Sequence, residues 1–378
     1  MAWKPRYRLT DKIGAALIAT GEAMGTIESR EWTPMIEEEM RFRAKLRSTH
    51  YSTKIEGNRL TISEAEEVVR GRQTTFAGRQ KDVGEVDRYW KAIDQVQVWA
   101  EQRAPVTEAL VRELHALVDI GLRRRPTPYR DGQNAVHDSA SGGIVYLPPE
   151  QQDVPALMSE LIEWIAQAEA AEMPAPVIAA LAHYQFVTIH PFWDGNGRTA
   201  RLLATLLLHR GGFGLRGFYS LEEYHARDLG EYYRQLAVHP HHNYYEGHTE
   251  ADLTPWLEYF TTGISQTFTV AAREAMTHAR QRDLVEPDEV RALDTRARRV
   301  LAQFARQSEI RTAGVAALFS ISPRAARDLV VKWVSDGFLE VASSANRSRS
   351  YRLSAVYRRY IGGLSGAPPR ASKGQSRK

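Results

Sequence analysis

The chain of 378 residues contains no cysteine, which removes disulfides, thiolate metal sites and a cysteine nucleophile and suits a reducing cytoplasm. It also lacks any apolar run long enough to span a bilayer, and its basic start, MAWKPRYRLTDKIG, has no signal-peptide core. A cytoplasmic chain without membrane contact is the expectation. Strand-like alternation is scarce too. What remains is ordinary for a folded globular protein, 43% hydrophobic and 25% charged, at a length that suits two or three domains.

Charge is unevenly spread. Residues 291–361 hold 14 Lys/Arg against 5 Asp/Glu, a net of +9, and residues 362–378 add +4. With +4 for the whole chain, residues 1–290 carry −9. An acidic body joined to a basic end suggests two roles.

Apolar residues recur at helical spacing through most of the body, as in Ala156, Leu157, Leu161 and Trp164. A helical run over residues 34–46 precedes a second, short helical segment at 52–57. Thr61 and Glu64 have the spacing of a capping box. Further helices are expected over 85–101 and 266–286. Two strand-like pieces, 133–136 and 144–147, flank a turn-rich stretch from His137 to Gly143 and predict one hairpin, entered by a loop at 123–125.

The strongest signal is His190-Pro191-Phe192-Trp193-Asp194-Gly195-Asn196-Gly197-Arg198-Thr199-Ala200-Arg201, followed by an apolar helical run. A glycine-rich turn opening a helix offers free N–H groups and a dipole to an anion, and phosphate is the natural guest. Arg198 and Arg201, three apart, share a face and can reach one polyphosphate. Asp194 is a hard oxygen ligand suited to Mg²⁺. His190 is left as a general base.

These residues match in full the Fic motif, HxFx(D/E)GNGRxxR, and the chain resembles the Fic family of AMP-transferases over roughly residues 35–263. The resemblance implies that His190 deprotonates a target hydroxyl and that Asp194 holds Mg²⁺. It implies too that Gly195, Asn196, Gly197 and Thr199 line the nucleotide while Arg198 and Arg201 bind its outer phosphates. ATP and Mg²⁺ are the implied substrate and cofactor. Relatives with lysine at the place of Gly197 transfer phosphate, so glycine there implies AMP. The hairpin, including Val136, resembles the flap that aligns a target by strand addition, and Tyr232 and Tyr233 resemble a tyrosine pair near the adenine. Ser52, Glu56 and Gly57 match the family's inhibitory segment, [S/T]xxxE[G/N], in which a carboxylate occupies the arginine meant for the γ-phosphate.

From residue 294 the pattern is helix (296–307), helix (312–319), turn, helix (323–335), then strand-like pieces at 338–341 and 350–353. It resembles a winged helix, with Arg324, Arg327, Lys332, Arg347 and Arg349 placed for phosphate contacts. The expected organisation is an N-terminal helical region (1–110) with the inhibitory segment near 52–58, a Fic core (111–265), a helical connector (266–290), the winged-helix domain (291–361) and a disordered basic tail (362–378). The fold class expected is mainly α, with a β-hairpin flap and a C-terminal winged helix-turn-helix. The function implied is self-inhibited transfer of AMP to a Ser, Thr or Tyr hydroxyl of a protein, the chain itself included, with release of pyrophosphate. Two alternatives stand beside it: a DNA-binding regulator whose nucleotide site only senses ligand, and removal of AMP by the same site. The partners admitted are a hydroxyl-bearing protein, DNA at the C-terminal domain and a second copy of the chain.

Overall fold

A computed structural model describes residues 3–30, 32, 34–121, 125–137, 142–283, 288–304, 307–319, 321–343 and 349–361. It divides into two compact units. The first is Met1–Arg30 with Met40–Ala275, and the second is Glu31–Glu39 with Met276–Lys378.

The first unit is built from helices α1 (Asp11–Glu28), α2 (Pro34–Ile55), α3 (Ile62–Val69), α4 (Gln80–Glu101) and α5 (Glu108–Asp119), then the strands β1 (Val136–His137) and β2 (Ile144–Tyr146). Helices α6 (Val154–Ala170), α7 (Ala175–Ile189), α8 (Asn196–Arg210), α9 (Leu221–Arg227), α10 (Leu229–Leu236) and α11 (Thr254–Asp283) follow, the first residues of α2 up to Glu39 and those of α11 from Met276 falling in the second unit. Helix α7 is buried on nearly every face, as a helix apolar all round must be. It packs on α6 and α8, while α8 also meets α4 and α5. The fully buried Trp256 of α11 donates its indole N–H to the Ala180 carbonyl at 2.7 Å.

Several helix starts follow their local chemistry. Thr61 and Glu64 form the expected capping box at α3, and Thr107 caps α5 by accepting from the Leu110 N–H. Two helices differ from expectation. Residues 34–46 and 52–55 belong to one continuous helix, α2, with 56–57 in the turn that ends it, although Arg47-Ser48-Thr49-His50-Tyr51-Ser52-Thr53 contains few good helix formers. Tertiary and local bonds compensate: Ser48 donates to Glu222, Thr53 donates to the Thr49 and His50 carbonyls, and Ser52 accepts from Arg201. The helix expected from residue 266 starts at Thr254, and its expected end at 286 lies outside the described residues.

The hairpin is present and antiparallel, with Val136 opposite Tyr146 and a bulge beside it, but shorter than expected. Its outer residues are used elsewhere. Gln133 donates to the Pro148 carbonyl, and Leu147 forms a parallel bridge with Asn243. Residues 138–141 of its turn, and 123–124 of the loop before it, lie outside the described residues.

In the second unit, α12 (Asp288–Arg291), α13 (Thr295–Gln303), β3 (Ile310–Arg311), α14 (Thr312–Phe319), α15 (Pro323–Ser335), β4 (Leu339–Ser343), β5 (Ser350–Leu353) and α16 (Ala355–Ile361) enclose a core that includes Val330, Trp333, Phe338 and Leu353. Its sheet is antiparallel in the order β3-β5-β4. Helices α14 and α15 and strand β5 lie where the sequence places them. Strand β3 and helix α16 were not anticipated, because two and seven residues carry almost no periodicity. Ser322 caps α15 with Pro323 in its first turn. Arg347 and the tail 362–378 lie outside the described residues.

Candidate functional site

Helix α7 ends at His190, whose backbone turns left-handed at φ 51°, and α8 begins after Gly195 at φ 75°. Between them the loop closes on itself. Asn196 accepts from the Phe192 N–H at 2.9 Å and donates to its carbonyl at 2.8 Å. Its side chain is thus spent on the turn, and only its backbone faces a ligand. Thr199 is likewise buried, with its hydroxyl donating to the Gly195 carbonyl at 2.9 Å. Because the first helical bond runs from the Thr199 N–H to that same carbonyl, the N–H groups of Asn196, Gly197 and Arg198 precede the ladder and point out of the helix start. An anion there would meet three donors.

His190 donates its Nδ1–H to the Val187 carbonyl at 3.2 Å, which leaves the lone pair on Nε2. Burial lowers its pKa, against the opposing pull of the Val187 carbonyl and Glu56, so the ring is neutral at neutral pH. Asp194 is 60% exposed at its side chain and accepts from the Gly195 N–H at 2.6 Å and from Arg198 at 3.3 Å. Partial burial works against its charge, but Arg198 and the Gly195 N–H outweigh that and hold its pKa below the ordinary value. Among the described residues no group of three His, Cys, Asp or Glu could hold a metal by itself. A single exposed carboxylate still fits Mg²⁺, which keeps its waters and takes the rest of its ligands from phosphates.

The two arginines, alike in the sequence, differ in their partners. Arg201 is 3% exposed and donates Nε to the Ser52 hydroxyl at 2.8 Å and Nη2 to the Ser52 carbonyl at 2.9 Å and to Glu56 at 2.8 Å. Burial opposes its charge, but Glu56, Tyr232 and Tyr89 more than offset this and raise its pKa. Arg198 reaches Asp194 at 3.3 Å and Glu85 at 3.9 Å, and its buried Nε has no partner. That orphan donor is one a phosphate oxygen would satisfy.

Glu56 arrives at the end of α2 in a Schellman turn. The Asn58 N–H bonds the Thr53 carbonyl, the Gly57 N–H bonds the Lys54 carbonyl, and Gly57 sits at φ 88°. The Glu56 carboxylate lies so close to Gly197 that a Cβ there would collide with it. Ser52 and Glu56 therefore meet Arg201, and Glu56 approaches Gly197, across 145 residues of chain or about as many, while Gly57 makes the turn that delivers Glu56.

The tyrosine pair divides. Tyr232 is 2% exposed, and its hydroxyl shares a 2.9 Å hydrogen bond with the buried His183, whereas Tyr233 is 50% exposed and free to offer its ring. Val136 is half-buried in β1. Two residues beside the turn escaped the sequence reading. His115 of α5 donates Nε2–H to the Asp194 carbonyl at 2.7 Å and stacks on Phe192 at 3.7 Å. Arg130 donates Nε to the His190 carbonyl at 3.0 Å. Neither belongs to a local pattern, so no signal within the chain marks them.

The family model for the Fic/DOC family matches residues 105–208. Protein adenylyltransferase Fic of Drosophila virilis is 31% identical over 164 residues, 43% of this chain and 33% of that protein. Its Drosophila melanogaster counterpart is 30% identical over the same length. The chain thus spans about a third of the length of these curated relatives. Among solved structures, a Fic family protein from Desulfovibrio desulfuricans G20 is 25% identical with a TM-score of 0.60, over 93% of this chain and 99% of that one. A Fic domain containing signaling protein from Bacteroides thetaiotaomicron VPI-5482 has 25% identity and a TM-score of 0.59, over 71% and 97%. The turn at 190–201 lies within the stretch that matches the Fic/DOC family model, so residues 105–208 form a Fic domain, and the chain around it is similar to solved Fic family proteins.

Proposed function

We propose that the chain is a self-inhibited adenylyltransferase that moves AMP from ATP to a Ser, Thr or Tyr hydroxyl of a protein. The observation that carries this reading is the neutral His190, with Nε2 open, beside a helix start that offers three unbonded N–H groups. In the step proposed, the target oxygen attacks the α-phosphorus and the bond from that phosphorus to the bridging oxygen of the β-phosphate breaks. The electron pair leaves with pyrophosphate, and His190 Nε2 takes the hydroxyl proton. The N–H groups of Asn196, Gly197 and Arg198 bind and orient the α-phosphate, and Arg198 takes an outer oxygen on its orphan Nε. Asp194 would hold Mg²⁺, which when bound offsets the charge of the phosphates. Tyr233 offers a stacking face to the adenine, and the hairpin offers backbone to a target strand.

Self-inhibition rests on the ion pair of Glu56 with Arg201. While the pair stands, Nε and Nη2 of Arg201 are spent on Ser52 and Glu56 and its charge is met by the Glu56 carboxylate, which also crowds the helix start at Gly197. The test is incorporation of label from α-labelled ATP with Mg²⁺ in buffer and in cell lysate. Glu56→Gly should label protein strongly, wild type weakly and His190→Ala not at all. Absence of label from all three, with ATP binding intact, overturns the reading.

A second role belongs to the other unit. Arg324 and Arg327 are exposed on α15 and make no ion pair among the described residues, which suits contact with a nucleic-acid backbone. If so, Arg324→Glu with Arg327→Glu abolishes salt-sensitive retention on duplex DNA and leaves label transfer unchanged; retention by the double variant refutes this role.

A further inference from the structure

Arg130 is 3% exposed, yet no salt bridge joins it to an acid among the described residues. Its donors all go to backbone carbonyls: Nε to His190 at 3.0 Å, Nη1 to Gly132 at 2.8 Å, Nη2 to Pro149, and its own N–H to Pro191 at 2.9 Å. A buried cation held only by carbonyls is costly to place, and removing it strands several acceptors at once.

Two neighbours act on the same loop. Tyr146 of β2 donates its hydroxyl to the Thr188 carbonyl at 2.8 Å, and Asn134 donates Nδ2 to the Phe192 carbonyl at 3.1 Å. The carbonyls of residues 188, 190, 191 and 192 are thus each bonded from residues flanking or within the hairpin. The Thr188 carbonyl lies in the last turn of α7, where the helix supplies no partner, and the other three follow the helix end, that of Phe192 also accepting from Asn196. His190 itself stands at φ 51° and ψ 57°, a left-handed region that strains a residue with a Cβ and persists only where the surroundings impose it.

We propose that Arg130 is a positioning residue that holds the left-handed backbone of His190 and ties it to the base of the hairpin. The inference rests on the reading of His190 as general base. On that reading the hairpin sets where a target hydroxyl lies and His190 sets where its proton goes. One guanidinium spans both, so the distance between hydroxyl and Nε2 is not left to two independently moving parts. A displacement of about 1 Å in such a pair can cost on the order of 100-fold in rate.

Arg130→Met and Arg130→Lys are made in the full chain carrying Glu56→Gly. Both should lose about 100-fold in the rate of label incorporation from saturating α-labelled ATP, while calorimetry with ATP gives unchanged affinity. Carbon-labelled histidine, with the His190 resonance assigned by its loss in His190→Ala, supplies a readout independent of activity. The charged groups that act on His190 are Glu56, Arg130 and Asp194, and Arg130 pulls its pKa down. Arg130→Met should therefore raise the His190 titration midpoint, whereas Arg130→Lys, which keeps the charge without the fork of donors, leaves it near that of the parent. Equal rates in parent and both variants overturn the proposal, as does a rate loss matched by loss of ATP affinity. If the parent transfers no label, the transferase reading fails, and the titration alone decides whether Arg130 governs His190: an unmoved midpoint in Arg130→Met then refutes the proposal. Arg130→Lys keeps the test alive where Arg130→Met fails to fold, since thermal melting identifies that case.

Discussion

Helices α2 and α7 both end in the left-handed conformation, and both deliver an ionisable side chain to the start of α8, Glu56 from one and His190 from the other. The first turns on Gly57, where no Cβ opposes φ 88°, and closes with two backbone bonds of its own. The second turns on His190 itself and relies on Arg130 from another part of the chain. A glycine hinge costs little to leave and to re-enter, which suits the inhibitory role proposed for Glu56. A strained histidine held from outside suits the role of base proposed for His190.

The contrast can be broken from the inhibitory side. Replacing Glu56 by glycine frees Arg201, and label transfer should rise at least about tenfold, the size of shift that roughly 1.4 kcal/mol of lost pairing produces. A smaller rise in the presence of intact ATP binding would mean that the ion pair does not govern access to the site. Gly57→Ala keeps Glu56 but places a Cβ in the left-handed region, straining the inhibitory turn by about 1 kcal/mol. Transfer should rise by roughly fivefold with Arg201 and Glu56 both present. No rise, together with an unchanged melting temperature, would show that the turn tolerates the strain.

The catalytic side is sharpened by pH. Only neutral His190 can accept a proton, and its pKa is lowered by burial, so transfer by Glu56→Gly should be flat through neutrality and fall only in acid, below the ordinary histidine midpoint. Glu56 itself opposes that lowering, so its removal moves the acid limb further down, never up. An acid limb above the ordinary midpoint would assign the proton transfer to another group. The smallest effect is a control: Thr61→Ala removes the capping box of α3, costing about 1 kcal/mol in thermal unfolding with no change in transfer.

Legibility in the sequence followed the range of the interaction. The turn at 190–201 was readable because its chemistry is contiguous: Asn196 closes its own loop on Phe192, and Gly195 supplies its own positive φ. The capping box at Thr61 was readable for the same reason. Helix α2 was broken in two by the run of Ser, Thr and His at 48–53, because the groups that satisfy those hydroxyls, Glu222 and Arg201, lie about 150 residues away or more. Arg198 and Arg201 looked equivalent, since nothing local distinguishes one arginine that meets Ser52 and Glu56 from another that meets Asp194 and Glu85. Arg130 and His115 carried no signal, because their partners are backbone carbonyls, which every residue has.

By itself, then, the order of residues determined the chemistry available: an imidazole, a carboxylate and a glycine-rich helix start within twelve positions, with no thiol to compete. Tertiary structure decided which of those groups are free. It paired Arg201 with Glu56, left Nε of Arg198 without a partner, and hung the His190 backbone on Arg130. The reason is physical: local bonds shape a turn from its own residues, whereas the state of a buried charge depends on whatever the rest of the chain packs against it.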